Sequence, residues 1–127
     1  GIEIEIVGIS ARNRHRDRGV PIDHIDWYDD PVALAKLNKL FHKTLCEAAN
    51  NRYLSEAVAA FSTTLLLLGP TTLAAGGRAG ESQAEHRAIV AAVTAGDANK
   101  AETLMRAHIR RAREIRMAMV LEEGLGV

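Results

Sequence analysis

The most restrictive feature of this sequence is the dipeptide Gly96-Asp97, which separates two segments of helical character. Residues 81–95 carry apolar side chains at helical spacing, and residues 97–122 continue as a second long helix. Glycine closes a helix by adopting the left-handed conformation, and aspartate caps the start of the next one. The sequence therefore predicts an antiparallel helical hairpin in the second half of the chain.

Two further helices are predicted upstream of that hairpin. Asp29-Asp30-Pro31 is typical of a helix start, because proline is favoured in the first turn and acidic residues stabilise the N-terminus. This helix runs to about residue 49, where Asn50-Asn51 ends it. The next helix spans residues 52–68, and Gly69-Pro70 ends it and begins a loop.

The first ten residues fit two patterns. Ile2, Ile4 and Ile6 alternate with glutamates as in a strand, whereas Ile2, Ile6 and Ile9 have helical spacing. A single strand in a helical chain would have no pairing partner, so a helix is the favoured interpretation. Together these patterns predict an all-α fold, with one domain over residues 1–127 built as an antiparallel bundle of about five to six helices.

The composition narrows the class of protein. Of the 127 residues, 47% are hydrophobic and 25% are charged, as in ordinary globular domains. The 16 basic and 16 acidic residues cancel, so the basic excess typical of a nucleic-acid-binding domain is missing. Cys46 is the only cysteine, which favours a reducing, cytoplasmic location. Residues 57–77 carry no charge, but their hydroxyl residues, glycines and proline favour a buried helix and a loop over a membrane span.

Two of the five histidines lie at the same level of the predicted hairpin. His86 and His108 are each about 15 Å from the Gly96-Asp97 turn, at a rise of about 1.5 Å per residue. His42 lies on a third helix, and Asn38 precedes it by one turn on the same face. Three imidazoles and one amide oxygen from three helices predict a metal site inside the bundle, although core histidines without a metal would show the same spacing.

A metal-dependent enzyme is the alternative from another functional class. A catalytic metal site keeps an open coordination position and needs a general base near the bound water. Glu85 adjoins His86 but points about 100° away around the helix. Glu81 is then the acidic residue best placed near that histidine, and this weak set of carboxylates favours binding over catalysis.

The segments Asn38-Lys39-Leu40-Phe41-His42 and Glu85-His86-Arg87-Ala88-Ile89 occur in this order and are followed by Gly96-Asp97. They resemble the Asp-x-x-Phe-His signature, the Glu-His-x-x-Ile motif and the Gly-Asp turn of the FadR C-terminal (FCD) domain. That domain is the effector-sensing part of many GntR-family bacterial transcription regulators. Similarities in Ala48-Ala49-Asn50-Asn51 and His108-Ile109 extend the resemblance over most of the chain.

The resemblance implies a helical bundle that forms a homodimer and binds a small organic acid effector. It also implies a divalent transition metal, for which imidazole ligands suit Zn or Ni. Carried over by position, the ligands are Asn38, His42, His86 and His108. Asn38 stands where the family has an aspartate, so the site lacks one negative charge and should bind its metal more weakly.

The predicted function is that of the effector-sensing domain of a GntR-family regulator, without catalytic activity. The effector is expected among apolar walls such as Leu45, Val90 and Leu104. DNA would be contacted only through a winged helix-turn-helix domain outside these residues, so we expect the chain to be a fragment of a longer regulator, with no membrane partner. The alternatives are a small metal-dependent hydrolase or transferase of a DinB-like bundle, and a metal-free dimerisation module.

Overall fold

The computed structural model of the protein describes residues 8–9, 26–27 and 31–125, with side chains described for residues 33–124. Most of these residues lie in four helices: α1 (Pro31–Ala48), α2 (Arg52–Leu65), α3 (Arg78–Thr94) and α4 (Ala98–Leu125). The all-α prediction is confirmed. The described part of the chain contains four α-helices, however, and not the five to six that were expected.

The helix predicted for the first ten residues is wrong at the two positions that the structure describes there. Gly8–Ile9 forms a short strand, β1, which pairs in parallel with β2 (Asp26–Trp27). The argument against a strand was the lack of a partner, and residues 26–27 supply that partner. The other positions of the predicted first helix lie outside the described residues, as does the acidic cap at Asp29-Asp30.

Two asparagines form the turn between α1 and α2, as predicted. Asn50 has a φ of 48°, in the left-handed region that asparagine tolerates better than most residues. The side chain of Asn51 accepts a hydrogen bond of 3.1 Å from the backbone N–H of Leu54 and so caps α2. A 3-10 turn, Leu66–Leu68, continues α2 to the predicted end of that helix. None of the helices that the structure describes combines the length and the apolar character needed to traverse a bilayer.

The connection between α2 and α3 is more ordered than the predicted loop. It contains a 3-10 turn, Thr72–Ala74, and the hydroxyl of Thr71 accepts a hydrogen bond from the backbone N–H of Leu73. Gly77 has a φ of 77° and allows the chain to turn directly into α3. Because α3 begins earlier than predicted, Arg78 is its first residue and is buried against the bundle.

The predicted hairpin of α3 and α4 closes through Gly96-Asp97. Gly96 has a φ of 70°. The backbone N–H groups of Gly96 and Asp97 donate to the carbonyls of Val93 and Ala92, each at 3.0 Å, which is the Schellman pattern of a helix end. The Asp97 carboxylate accepts a hydrogen bond of 3.0 Å from the backbone N–H of Lys100 and caps α4. This hairpin is the most extensive helix pair of the described bundle.

The interior of the described bundle is unusually polar. Its buried apolar residues are Leu34, Ile89 and Ala92. Its buried polar residues are Arg78, Ser82, His86 and His108. Burying a polar or charged group costs free energy unless it finds a partner. The polar part of the interior, which lies on α3 and α4, is therefore the place to look for a functional site.

Candidate metal centre

Three histidines from three different helices meet inside the bundle. His42 is on α1, His86 on α3 and His108 on α4, and each offers a ring nitrogen within 4.8 Å of the other two. The ring centroids of His86 and His108 are 4.8 Å apart, so these two residues face each other across the hairpin. The centroid of His42 lies 5.1 Å from that of His108 and 5.3 Å from that of His86.

The spacing of the nitrogens suits a single metal ion. The Nε2 atoms of His42 and His108 are 3.2 Å apart. Two imidazole nitrogens on one tetrahedral zinc, each at about 2.0–2.1 Å from it, lie about 3.3 Å from each other. A set of three imidazoles is also one that divalent transition metals accept readily. The three histidines are therefore close enough together, and of the right chemistry, to hold such an ion.

Burial keeps two of these imidazoles neutral at physiological pH. It lowers the pKa of His42 to about 4, with a smaller contribution from the proximity of His108. It also lowers the pKa of His86 to about 3, with smaller contributions from the proximity of His108, His42 and Arg78. A histidine binds a metal through the lone pair of its neutral ring. At neutral pH these two side chains are in the form that a ligand requires.

His86 is held between an aromatic ring and a hydroxyl group. The ring of Phe41 stacks on it, with centroids 3.8 Å apart and an interplanar angle of 17°. The Ser82 hydroxyl lies one helical turn away, at 3.5 Å from Nε2 of His86. Phe41 therefore shields one face of the imidazole, and the ring orientation is set by contacts on two sides.

Sequence reasoning missed two members of the cluster, Glu85 and Arg78. Oε2 of Glu85 is 2.6 Å from Nδ1 of His108, and Nη2 of Arg78 is 2.8 Å from the same carboxylate oxygen. Sequence reasoning discounted Glu85 because its side chain points away from His86, the next residue in the chain. On α3 that side chain points towards α4, where it contacts His108. Arg78 and Glu85 are seven residues apart, which places them on the same face of a helix and could have predicted their ion pair. Sequence reasoning did not use this spacing because it assigned Arg78 to a loop.

The charge of Glu85 is stabilised by its partners. Partial burial raises the pKa of this carboxyl group, but the hydrogen bonds from Arg78 and His108 and the positive charge of Arg78 lower it by more. The net direction is downward, so Glu85 is ionised at neutral pH. Arg78 is only 2% exposed, and its charge is balanced by Glu85 and by Glu81.

Glu81 contacts arginines rather than a histidine. Its Oε2 lies 3.5 Å from Nη1 of Arg78 and 3.4 Å from Nε of Arg111. These three side chains line a cavity of about 480 Å³ between the start of α3 and the second half of α4. Apolar side chains supply part of the remaining wall: Ala74, Ala75, Ile115, Ala118 and Met119.

The structure gives only the position and burial of the other predicted site residues, and no polar contact with the histidine cluster. Asn38 is half-buried on α1, one turn before His42. Leu45, Val90 and Leu104 are half-buried as well, and the cavity beside Arg78 is lined by other residues. The roles of Asn38 as a fourth ligand and of the three apolar residues as pocket walls remain predictions.

Comparison with known protein families identifies the family of this chain. The family model described as FCD domain matches residues 22–111, which include all three histidines of the cluster and also Arg78 and Glu85. No curated protein and no solved structure matches the chain significantly. FCD domains fit the role of effector-binding domains in GntR-type regulators. Since the match covers well over half of the sequence, the chain belongs to the FCD family, the FadR C-terminal domains of GntR-family regulators.

Proposed function

We propose that this FCD domain senses a small organic acid through a divalent transition metal bound by His42, His86 and His108. The observation that carries the proposal is the approach of three imidazole nitrogens, from three helices, to within 4.8 Å of one another. Placing three polar rings together in a small interior costs stability unless they share a partner. A bound ion is such a partner, and Zn or Ni suits this donor set.

Asn38 is the proposed fourth protein ligand. It lies one helical turn before His42 and can offer a neutral amide oxygen. Because an aspartate occupies this position in the family motif, the centre of this protein carries one negative charge fewer. We expect the protein to bind its metal more weakly than an aspartate-containing relative and to depend more on the three histidines.

The organic-acid part of the proposal is supported by the chemistry next to the histidines. When bound, the metal would supply open coordination positions for a carboxylate. Arg78 is buried on the wall of the adjacent cavity, and within the part of the chain that the structure describes its Nε makes no hydrogen bond and its Nη1 makes only the 3.5 Å ion pair with Glu81. A guanidinium with unused donors is a suitable group for recognising a carboxylate. The predicted apolar walls Leu45, Val90 and Leu104 would contact the rest of the effector.

Effector binding would act through the packing of the helices. The three histidines tie α1 to the α3–α4 hairpin, so a ligand at this point favours the arrangement in which the three helices are closest. It can shift that equilibrium only by its difference in affinity for the two arrangements. In a complete regulator, a preceding winged helix-turn-helix domain would read out the change on DNA, in the cytoplasm.

A homodimer is the proposed assembly. The α2 helix contains no buried residue, and large apolar side chains are exposed on α2 and on the 3-10 turn that follows it. Tyr53, Phe61, Leu66 and Leu67 are each more than half exposed. Apolar surface of this extent is typical of a site that another protein covers, and a second copy of the domain is the partner that the family resemblance implies.

The test is the metal content of purified, tag-free protein, measured by elemental mass spectrometry. We expect near-stoichiometric Zn or Ni in the wild type after incubation, and loss of it in both His86→Ala and His108→Ala. Asn38→Asp should bind the ion more tightly than the wild type. Calorimetry with a panel of small mono- and dicarboxylic acids should then show binding to metal-loaded protein and weaker or no binding to the alanine variants. A wild type that takes up neither Zn nor Ni would overturn the proposal, whether or not Asn38→Asp binds the ion.

A further inference from the structure

His108 is held on both of its ring nitrogens, and the two partners differ in kind. Nε2 faces Nε2 of His42 at 3.2 Å, inside the histidine cluster. Nδ1 faces the carboxylate of Glu85 at 2.6 Å, on the opposite side of the ring. The short second contact is in the range of a charge-assisted hydrogen bond. One nitrogen of this imidazole is therefore committed to a carboxylate, and the other is turned towards the cluster.

The carboxylate contact decides where the proton of the neutral ring resides. An ionised carboxylate only accepts hydrogen bonds, so Nδ1 of His108 must donate one. The other neighbour of Nδ1 is Nη2 of Arg78 at 3.4 Å, a donor that would pair only with an unprotonated Nδ1. The carboxylate contact, at 2.6 Å, is much shorter and therefore decides the tautomer. In the neutral imidazole with a proton on Nδ1, the lone pair is on Nε2. That lone pair lies on the side where His42 approaches.

Glu85 is itself fixed by a buried cation. Nη2 of Arg78 lies 2.8 Å from Oε2 of Glu85, the same oxygen that contacts His108. The Arg78 side chain is 2% exposed and is also paired with Glu81, so it has little freedom to move away. The residues form a chain from Arg78 through Glu85 to His108 and on to His42, with contacts of 2.8, 2.6 and 3.2 Å.

We propose that Glu85 is a positioning residue of the centre: it holds His108 with Nδ1 protonated and Nε2 available to bind a metal, and Arg78 holds Glu85 in place. The proposal that Nδ1 of His108 is protonated depends only on the contacts described above, whereas the proposal that Nε2 binds a metal rests on the proposed function. A carboxylate behind a ligating histidine fixes the orientation of the ring and increases its basicity. Removing such a group typically costs about 10- to 100-fold in metal affinity.

The first experiment compares Glu85→Gln with a matched control, Glu81→Gln. Both variants remove one carboxylate that pairs with Arg78, but only Glu85 contacts a histidine. Zinc affinity is measured by competition with a chromophoric chelator. We expect Glu85→Gln to bind zinc about 10- to 100-fold more weakly than the wild type, and Glu81→Gln to stay close to the wild type. Equal affinities for the wild type and Glu85→Gln, or equal losses in both variants, would overturn the proposal.

Spectroscopy and a second variant distinguish the proposed positioning of His108 by Glu85 from a purely structural role of Glu85. Cobalt-loaded wild type and Glu85→Gln should differ in the ligand-field absorption of Co(II), because a neutral amide replaces the charged carboxylate behind the His108 ring. Glu85→Asp keeps the negative charge but is one methylene shorter, so it should lose the His108 contact and bind zinc nearly as weakly as Glu85→Gln. An aspartate variant with full affinity, or identical cobalt spectra, would show that the contact itself does not matter.

The tautomer is tested on metal-free protein, which keeps the two proposals distinguishable. The nitrogen chemical shifts of His108, assigned by comparison with His108→Ala, should report a proton on Nδ1 in the wild type and in Glu81→Gln. In Glu85→Gln this preference should weaken, because the neutral amide can either accept from Nδ1 or donate to it. A wild type that binds no metal refutes the proposed function even where the Nδ1 proton is found. A wild type that binds metal but carries the His108 proton on Nε2 refutes the positioning role alone.

Discussion

Lowering the pH from 7 to 5 should destabilise the metal-free protein strongly. His42 and His86 have pKa values lowered from 6.5 to about 4 and about 3 in the folded state, because burial disfavours the charged rings. In the unfolded chain both regain ordinary values. Between pH 6.5 and these lowered values the unfolded state binds more protons than the folded state, so folding stability falls as the pH falls. The stabilising contribution is fully present above about pH 6.5.

The size of the effect follows from the two pKa values. From pH 7 to pH 5, each unfolded histidine gains most of a proton that its folded counterpart does not bind, which amounts to about 2 kcal/mol per residue at about 1.4 kcal/mol per pKa unit. The two together give a loss of about 4 kcal/mol. Domains of this size are stable by about 5–15 kcal/mol, so the loss is a large part of the total.

Urea unfolding followed by circular dichroism, on chelator-treated protein at both pH values, measures this loss directly. The matched variant is His86→Gln, which removes one titrating group and should reduce the pH-dependent loss to about 2 kcal/mol. A wild type whose free energy of unfolding is unchanged between pH 7 and pH 5 would refute the argument. A loss in His86→Gln as large as in the wild type would show that His86 is not one of the groups responsible.

Three substitutions should change stability by separate mechanisms, each read from urea unfolding at pH 7. Ile89→Ala truncates a side chain that is only 1% exposed, and the resulting cavity should lower the free energy of unfolding by about 2–4 kcal/mol. A loss below about 1 kcal/mol would mean that the site collapses around the smaller residue. Gly96→Ala should lower the free energy of unfolding by about 1 kcal/mol, because Gly96 has a φ of 70° that alanine disfavours. A Cβ at this position meets no atom within 4 Å, so the loss comes from the backbone alone, and Gly96→Asn should lose less. Equal losses in the two variants would contradict this backbone origin. Arg78→Met should lower the free energy of unfolding by about 2 kcal/mol, which is less than the loss from breaking a fully buried ion pair, because Glu85 is 30% exposed. An unchanged urea midpoint would mean that Glu85 is stable without the Arg78 charge.

The helix ends that the sequence predicts correctly follow from local chemistry. A proline at the start of α1, asparagines at its end and Gly96-Asp97 between α3 and α4 act on backbone conformation within a few residues. The hairpin in turn requires His86 and His108 to lie at the same level, because both helices rise equally from one turn. The relative placement of those two histidines was therefore predictable from the chain alone.

The rest depends on how the helices cross. Glu85 is adjacent to His86 in the chain but binds His108, because the direction away from one ligand on α3 is the direction towards α4. The first strand was missed because its partner at residues 26–27 lies outside any local pattern. Arg78 became part of the centre only because α3 starts one turn earlier than its composition indicates. Helices α1, α2 and α4, the turns between the helix pairs and the facing histidine pair could be predicted from the chain, since they depend on neighbours in sequence. The carboxylate and the cation that stand behind His108 could not be predicted in this way, since their contact with that ring depends on how α3 packs against α4.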